Sequence, residues 1–182
     1  MQIQSLAIFC GSKHGNNAIY QQHAAELGKL LAAKGIRLIY GGGNNGLMGV
    51  AADAVMNSGG GVTGVIPQVL VAWEHQHEGI SELLVVEDMH VRKRKLFELC
   101  DGAIILPGGF GTLDELFEML TWNGLSIHDK KIFILNSGGF YQHLLQHMKL
   151  LESEGFLYGE LADKFILLNE PGELLSHLGN PE

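Results

Sequence analysis

The chain has 182 residues, a formal net charge of −8, and 46% hydrophobic against 18% charged residues. That length points to one domain over 1–182, able to bury about 70% of the surface its unfolded chain exposes, while the acidic balance argues against nucleic acid as a partner, because such binders carry surplus Lys and Arg for phosphates. Cys10 and Cys100 are too few and too far apart for a disulfide framework or a Cys-x-x-Cys metal site, no run approaches about 18 apolar residues, and the amino terminus lacks a basic leader; free thiols, no membrane partner and a cytoplasmic location are expected.

In chain order, short apolar runs alternate with helical patterns. The strands are "SLAIFCG", "IRLIYGGG", "VTGVIP", "ELLVVEDM", "GAIILPGG", "KIFILNS" and "FILLN"; helices are expected near 16–34, 46–58, 89–101, 112–126, 139–154 and 171–178. Continuous apolar strands imply burial on both faces. The fold class is therefore α/β, a Rossmann-like open, mainly parallel sheet with helices on both faces and right-handed crossovers. The 25 glycines gather at the carboxyl ends of strands: Gly11-Ser12 after the first, Gly41–Gly43 after the second, Gly108–Gly111 after the fifth. Ligands of such sheets bind outside those ends, so the three loops, with Ser12, Gly42 and Gly43 among them, converge on one site.

In "YGGGNNGLMG", Gly41, Gly43 and Gly46 satisfy G-x-G-x-x-G, but no acidic residue follows at the distance a dinucleotide's ribose needs. A loop for an anion is favoured over an NAD site, and a tight turn without ligand stays open. "PGGFGT" is the stronger signal: Gly108, Gly109 and Gly111 permit close backbone approach, and Thr112 adds a hydroxyl where a helix dipole is positive. No G-K-[ST] follows, so a monophosphate fits better than a triphosphate with Mg²⁺.

In "DMHVRKRKLFELC", Met89, Leu96, Leu99 and Cys100 mark a buried stripe, with Arg92 and Lys93 on or beside it. A cation in a first helical turn opposes the dipole unless an anion faces it, so Arg92 is aimed at ligand, whereas Arg94 and Lys95 form a solvated face. His75, His77 and Glu74 mimic a metal cluster but lack a partner pair, so surface histidines are expected and no metal; His90 is a candidate for orienting a neighbour. Ser12 has no evident base, and covalent catalysis is not expected. Thr112-Leu113-Asp114-Glu115 matches the capping box S/T-x-x-E, which leaves Glu115 with two roles, cap or chemistry.

"DMHVRK" and "PGGFGTLDE", preceded by "YGGGNNGLMG", together resemble the "lonely guy" family of cytokinin-activating phosphoribohydrolases, often labelled lysine decarboxylases, over nearly the whole chain. The resemblance implies a compact Rossmann-type homodimer that cleaves the N-glycosidic bond of a nucleoside 5′-monophosphate, typically N6-substituted, to free base and ribose 5-phosphate without metal or organic cofactor. It implies catalytic roles for Arg92 and Glu115, and substrate contacts for Lys93, for the loop Pro107–Thr112, for Thr121 before Trp122, and for Glu74. Phe110 and Asp114 stand where family members often have Tyr and Glu. The decarboxylase label has no chemical support, since that reaction needs a lysine Schiff base with a pyridoxal cofactor and no candidate lysine for one is expected in a Gly-rich strand-end pocket. The residues suit glycosidic cleavage: a carboxylate stabilises an oxocarbenium-like state and orients water. A non-catalytic nucleotide carrier or sensor and an NAD-dependent enzyme remain the alternatives.

Overall fold

The structure is a computed structural model that describes residues 3–71 and 76–178. Seven strands, β1 (Ser5–Phe9), β2 (Arg37–Tyr40), β3 (Val62–Pro67), β4 (Glu82–Val86), β5 (Gly102–Ile105), β6 (Lys131–Leu135) and β7 (Ile166–Leu168), form one sheet in the order β4-β3-β2-β1-β5-β6-β7. Every pairing is parallel. Among the described residues the five α-helices are α1 (Ala18–Ala33), α2 (Gly46–Asn57), α3 (Met89–Leu99), α4 (Phe110–Gly124) and α5 (Gln142–Ser153). The expected α/β architecture is what the chain adopts.

Alternation along the strands explains the two layers. Leu6, Ile8 and Cys10 join one apolar cluster with Ile104, Leu106, Phe133 and Leu135, under α1, α2 and the final 3-10 turns at Pro171–His177. Ala7, Phe9, Ala103, Ile105, Ile132 and Ile134 point the other way, under α3, α4 and α5. Each central strand is thus buried on both faces, as an all-parallel sheet requires. Strand order reverses between β1 and β5, and the crevice outside their carboxyl ends is where such a sheet presents a ligand site.

Three local expectations change. Helix α4 starts at Phe110, after Gly109 in extended conformation (φ −98°, ψ −153°), and not near residue 112. Thr112 is thereby the third helical residue, no side chain caps this helix, and the capping box does not form. The last expected helix is 3-10. In α3 the stripe is narrower than its apolar residues suggested: Leu96 and the following Cys100 are buried, but Met89 and Leu99 are 39% and 37% exposed, and the second buried position is Arg92 at 5%.

Candidate active site

The turns after β1 and β5 are stitched together first. Gly11 N–H donates to the Pro107 carbonyl at 3.0 Å, and the Gly11 carbonyl accepts the Leu47 N–H at 3.0 Å from the first turn of α2. Two clefts open beside this seam. One, of ≈ 310 Å³, has Ile8, Phe9 and Cys10 as its floor, Met48, Leu70 and Met89 as an apolar wall, Arg92 and Lys93 from α3, and Gly109, Gly111, Thr112, Asp114 and Glu115 from the start of α4. The other, of ≈ 320 Å³, lies toward α1 and is lined by Lys13, His14, Tyr20, Leu47, Gly108 and Phe140.

The start of α4 is open. Leu113 N–H closes the first helical bond on Gly109 (3.1 Å), and among the described residues no protein acceptor meets the N–H groups of Phe110, Gly111 or Thr112. Gly109, Phe110 and Gly111 are exposed, Phe110 at 93%. Three donors and the positive end of a 15-residue helix therefore face the cleft, the arrangement that binds an anion. Thr112 is buried, and its hydroxyl packs so closely on Gly108 that a Cβ at Gly108 would overlap Oγ1.

Arg92 is held by backbone. Its Nε donates to the Val65 carbonyl at 3.1 Å and its Nη2 to the Gly41 carbonyl at 2.9 Å, both buried bonds. A Cβ at Gly41 would collide with Nη2, so the glycine is what lets the guanidinium in. Asp88 caps the helix that carries it, Oδ1 accepting Val91 N–H at 2.9 Å; that bond, foremost, holds the Asp88 carboxyl below its ordinary value. A buried cation costs several kcal/mol unless compensated, and carbonyl dipoles supply part of that compensation here.

The two carboxylates of α4 have different surroundings. Lys93 Nζ lies 2.6 Å from Asp114 Oδ2 and 3.5 Å from Glu118 Oε2. Burial alone would lower the Lys93 pKa, but the bond to Asp114 and the charge of Glu118 outweigh it and raise it. Asp114 is thus neutralised by α3. Glu115, half-buried, faces the floor, where burial first and the Glu115 charge second push the Cys10 thiol up and keep it neutral.

The cleft gathers Ser12, Arg92, Lys93, Gly109, Gly111, Thr112 and Glu115 from the sequence expectations, while Gly108 lines the neighbouring cleft, which Ser12 and Gly109 also border. Gly42 and Gly43 are buried outside both: Gly42 packs on Ile66 and Leu83, and Gly43 bridges to Gln76. Thr121 is exposed on the last turns of α4, beside Phe117, Leu125, Phe156 and Tyr158, and no described residue brings it to the cleft. Glu74 and His75 lie outside the described residues. His77 is not a surface histidine; it is 8% exposed, with Nε2 3.0 Å from Asp53 Oδ1. The sequence reading missed the Asp88 cap, for which Asp directly before a helical pattern was the available signal, and the Gly41 socket, for which spacing carried none. No group of three or more metal-ligating side chains occurs among the described residues.

Comparison with known proteins matches residues 48–178 to the family described as Possible lysine decarboxylase. A probable cytokinin riboside 5′-monophosphate phosphoribohydrolase of Oryza sativa subsp. japonica is 44% identical over 177 residues, covering 97% of this chain and 72% of that protein. The cytokinin riboside 5′-monophosphate phosphoribohydrolase of Rhodococcoides fascians is 40% identical over 98% of this chain and 90% of its own. Among solved structures, the Moco carrier protein of Chlamydomonas reinhardtii superposes with a TM-score of 0.72 at 18% identity, over 96% of this chain and 94% of that one, a likeness of fold. The chain belongs to the family described as Possible lysine decarboxylase, that of the "lonely guy" phosphoribohydrolases.

Proposed function

We propose that this protein is a phosphoribohydrolase that cleaves the N-glycosidic bond of a purine nucleoside 5′-monophosphate, with an N6-substituted adenosine monophosphate as substrate, to give free base and ribose 5-phosphate. The observation that carries the reading is the open start of α4 beside Glu115 and Arg92 in one cleft, in a chain 40–44% identical to named phosphoribohydrolases.

The phosphate binds the N–H groups of Phe110, Gly111 and Thr112, with Gly108, Gly109 and Ser12 shaping the cradle. The ribose then lies along α4 with its anomeric carbon toward Glu115. As the C1′–N9 bond breaks, its electron pair leaves with the base and positive charge grows on the sugar, which the Glu115 carboxylate stabilises. Water adds to C1′, giving a proton to Glu115, which releases it to solvent while the departing base takes up a proton from solvent at nitrogen, so one water is consumed and the carboxylate is restored. Arg92, anchored by the Gly41 and Val65 carbonyls, lines the same cleft and meets negative charge on the leaving base. Lys93 contributes through Asp114, and phosphate binding supplies orientation. The reading requires no metal or organic cofactor.

The same proposal includes one catalytic domain and a homodimer. Its support is the exposed apolar surface of Phe117, Leu125, Phe156 and Tyr158, a kind of patch that marks association. Thr121 sits within that surface, outside its own chain's cleft, and in this proposal contacts substrate only across the dimer. Neither nucleic acid nor membrane is a proposed partner: the net charge is −8, and no described helix is long and apolar enough to cross a bilayer.

The test is a product assay on adenosine monophosphate, its isopentenyl derivative and the matching ribosides, without added metal. Free base and ribose 5-phosphate are expected from the monophosphates, with ribosides slower by at least about a hundredfold because remote binding energy is lost. Equal turnover of riboside and monophosphate overturns the cradle; tight binding without product selects the carrier reading instead.

A further inference from the structure

One acceptor in the Arg92 socket is the Gly41 carbonyl, at the head of a turn of three glycines with no side chains to hold it. Gly42 adopts φ +79°, and Gly64 of β3 lacks the Cβ that would stand 2.7 Å from Gly42 Cα, so the turn beds down on the sheet. From the other side the segment at residues 76–79 closes over it. Gly43 bridges antiparallel to Gln76, and His77 N–H donates to the Gly42 carbonyl at 3.0 Å. The His77 imidazole uses both nitrogens: Nδ1 accepts Gly79 N–H at 3.1 Å, which leaves the proton on Nε2, donated to Asp53 Oδ1 on α2 at 3.0 Å.

We propose that His77, oriented by Asp53, is a positioning residue: it clamps the Gly41–Gly43 turn so that the Gly41 carbonyl holds the Arg92 guanidinium in the cleft. The inference rests on the catalytic reading of Arg92 given above. It also gives the buried Gly42 and Gly43 a task at one remove from the ligand. Displacing a catalytic group by an ångström costs up to about a hundredfold in rate, so the clamp acts on turnover and leaves phosphate binding on α4 alone.

The test measures kcat and KM for Arg92→Ala, His77→Ala and the double variant, with Asp53→Ala and Asp53→Asn beside them. We expect His77→Ala to lower kcat about tenfold or more with KM within about threefold, and the double variant to be no slower than Arg92→Ala, because the clamp acts through that side chain. Asp53→Ala gives a smaller loss that Asp53→Asn, which keeps an acceptor oxygen, restores. The Asp53 pair, on a side chain 58% exposed, makes the same comparison if His77→Ala does not fold. Normal kcat in His77→Ala and Asp53→Ala while Arg92→Ala is slow overturns the clamp alone, as do losses that multiply in the double variant. An Arg92→Ala protein at the parental rate overturns the reading of Arg92 and the clamp with it.

Discussion

Two glycine-rich turns, each leading from a strand into a helix, look alike in sequence and end differently. At "GGGNNG" the chain fills its own helix start: Gly46, Leu47 and Met48 are buried, Leu47 N–H is spent on Gly11, and Gly46 at φ +60° leaves no room for a Cβ beside the backbone of Ser12 and Lys13. At "PGGFGT" the first three N–H groups face the cleft, and nothing lies within 4 Å of a Cβ placed on Gly109 or Gly111. Glycine therefore serves close packing in the first turn and access in the second. What the first gives the site is a carbonyl, for Arg92, and what the second gives is donors.

The largest effect expected tests the carboxylate that follows the open turn. Glu115→Gln removes the charge an oxocarbenium-like state needs, so turnover falls by at least about a hundredfold while the melting temperature stays within roughly 2–4 °C. Asp114→Asn, whose charge Lys93 already neutralises, slows the reaction less; the reverse order in steady-state kinetics would reassign the chemistry to Asp114. Next, Gly41→Ala drives a methyl into the Arg92 guanidinium, and kcat/KM is expected to drop by about thirtyfold or more, a loss of roughly 2 kcal/mol of transition-state stabilisation. An unchanged value would show that the cation does not need its Gly41 anchor.

The contrast between the turns is sharpest in a matched pair. Gly46→Ala forces a side chain into left-handed backbone and against Ser12 and Lys13, at a cost of about 2–4 kcal/mol, so thermal unfolding moves down by roughly 5–10 °C. Gly111→Ala, free of protein neighbours, leaves that midpoint in place or slightly higher and instead raises KM about fivefold by crowding the phosphate. A fall in melting temperature for Gly111→Ala, or an unaltered KM, erases the distinction. The smallest effect belongs to the brace between α3 and α4. Lys93→Met removes an ion pair with a half-exposed partner, worth about 0.5 kcal/mol. Because the folded-state pKa of Lys93 is raised, that contribution is complete below about pH 10.4, the unfolded value, and disappears as pH climbs through the higher folded one. The melting-temperature gap between parent and Lys93→Met should hold from pH 6 to 10 and close only above about pH 10.4; a gap that widens there contradicts the assignment.

The sheet was legible because its signals are local and redundant. Strands such as "GAIIL" and "KIFIL" are apolar on both faces and end at proline or asparagine with glycines just beyond, which identified them, their burial and the ligand edge together. The helix start at "PGGFGTLDE" misled because a capping-box pattern and an extended Gly109 compete for the same boundary, and the Gly109 conformation, with two helical residues before Thr112, prevails. Arg92 was found through its conflict with the helix dipole, yet two of its acceptors, the Val65 carbonyl of β3 and the Gly41 carbonyl just after β2, leave no trace in side-chain identity. His77 was misjudged for a similar reason, since its acceptor Asp53 is remote in sequence and its burial depends on a loop folding back over three glycines.

Gly11 has a consequence for how this chain can be altered. Its N–H belongs to the β5 turn and its carbonyl to α2, so one residue serves as the hinge pin between the two helical layers. A substituted Cβ there would meet Lys13 O at 3.1 Å and Gly108 Cα at 3.4 Å. Length changes between Cys10 and Lys13 would therefore shift both clefts at once, whereas the exposed turn at residues 57–59, ahead of the amino end of β3, is where an inserted tag or a permuted terminus leaves the two layers in register.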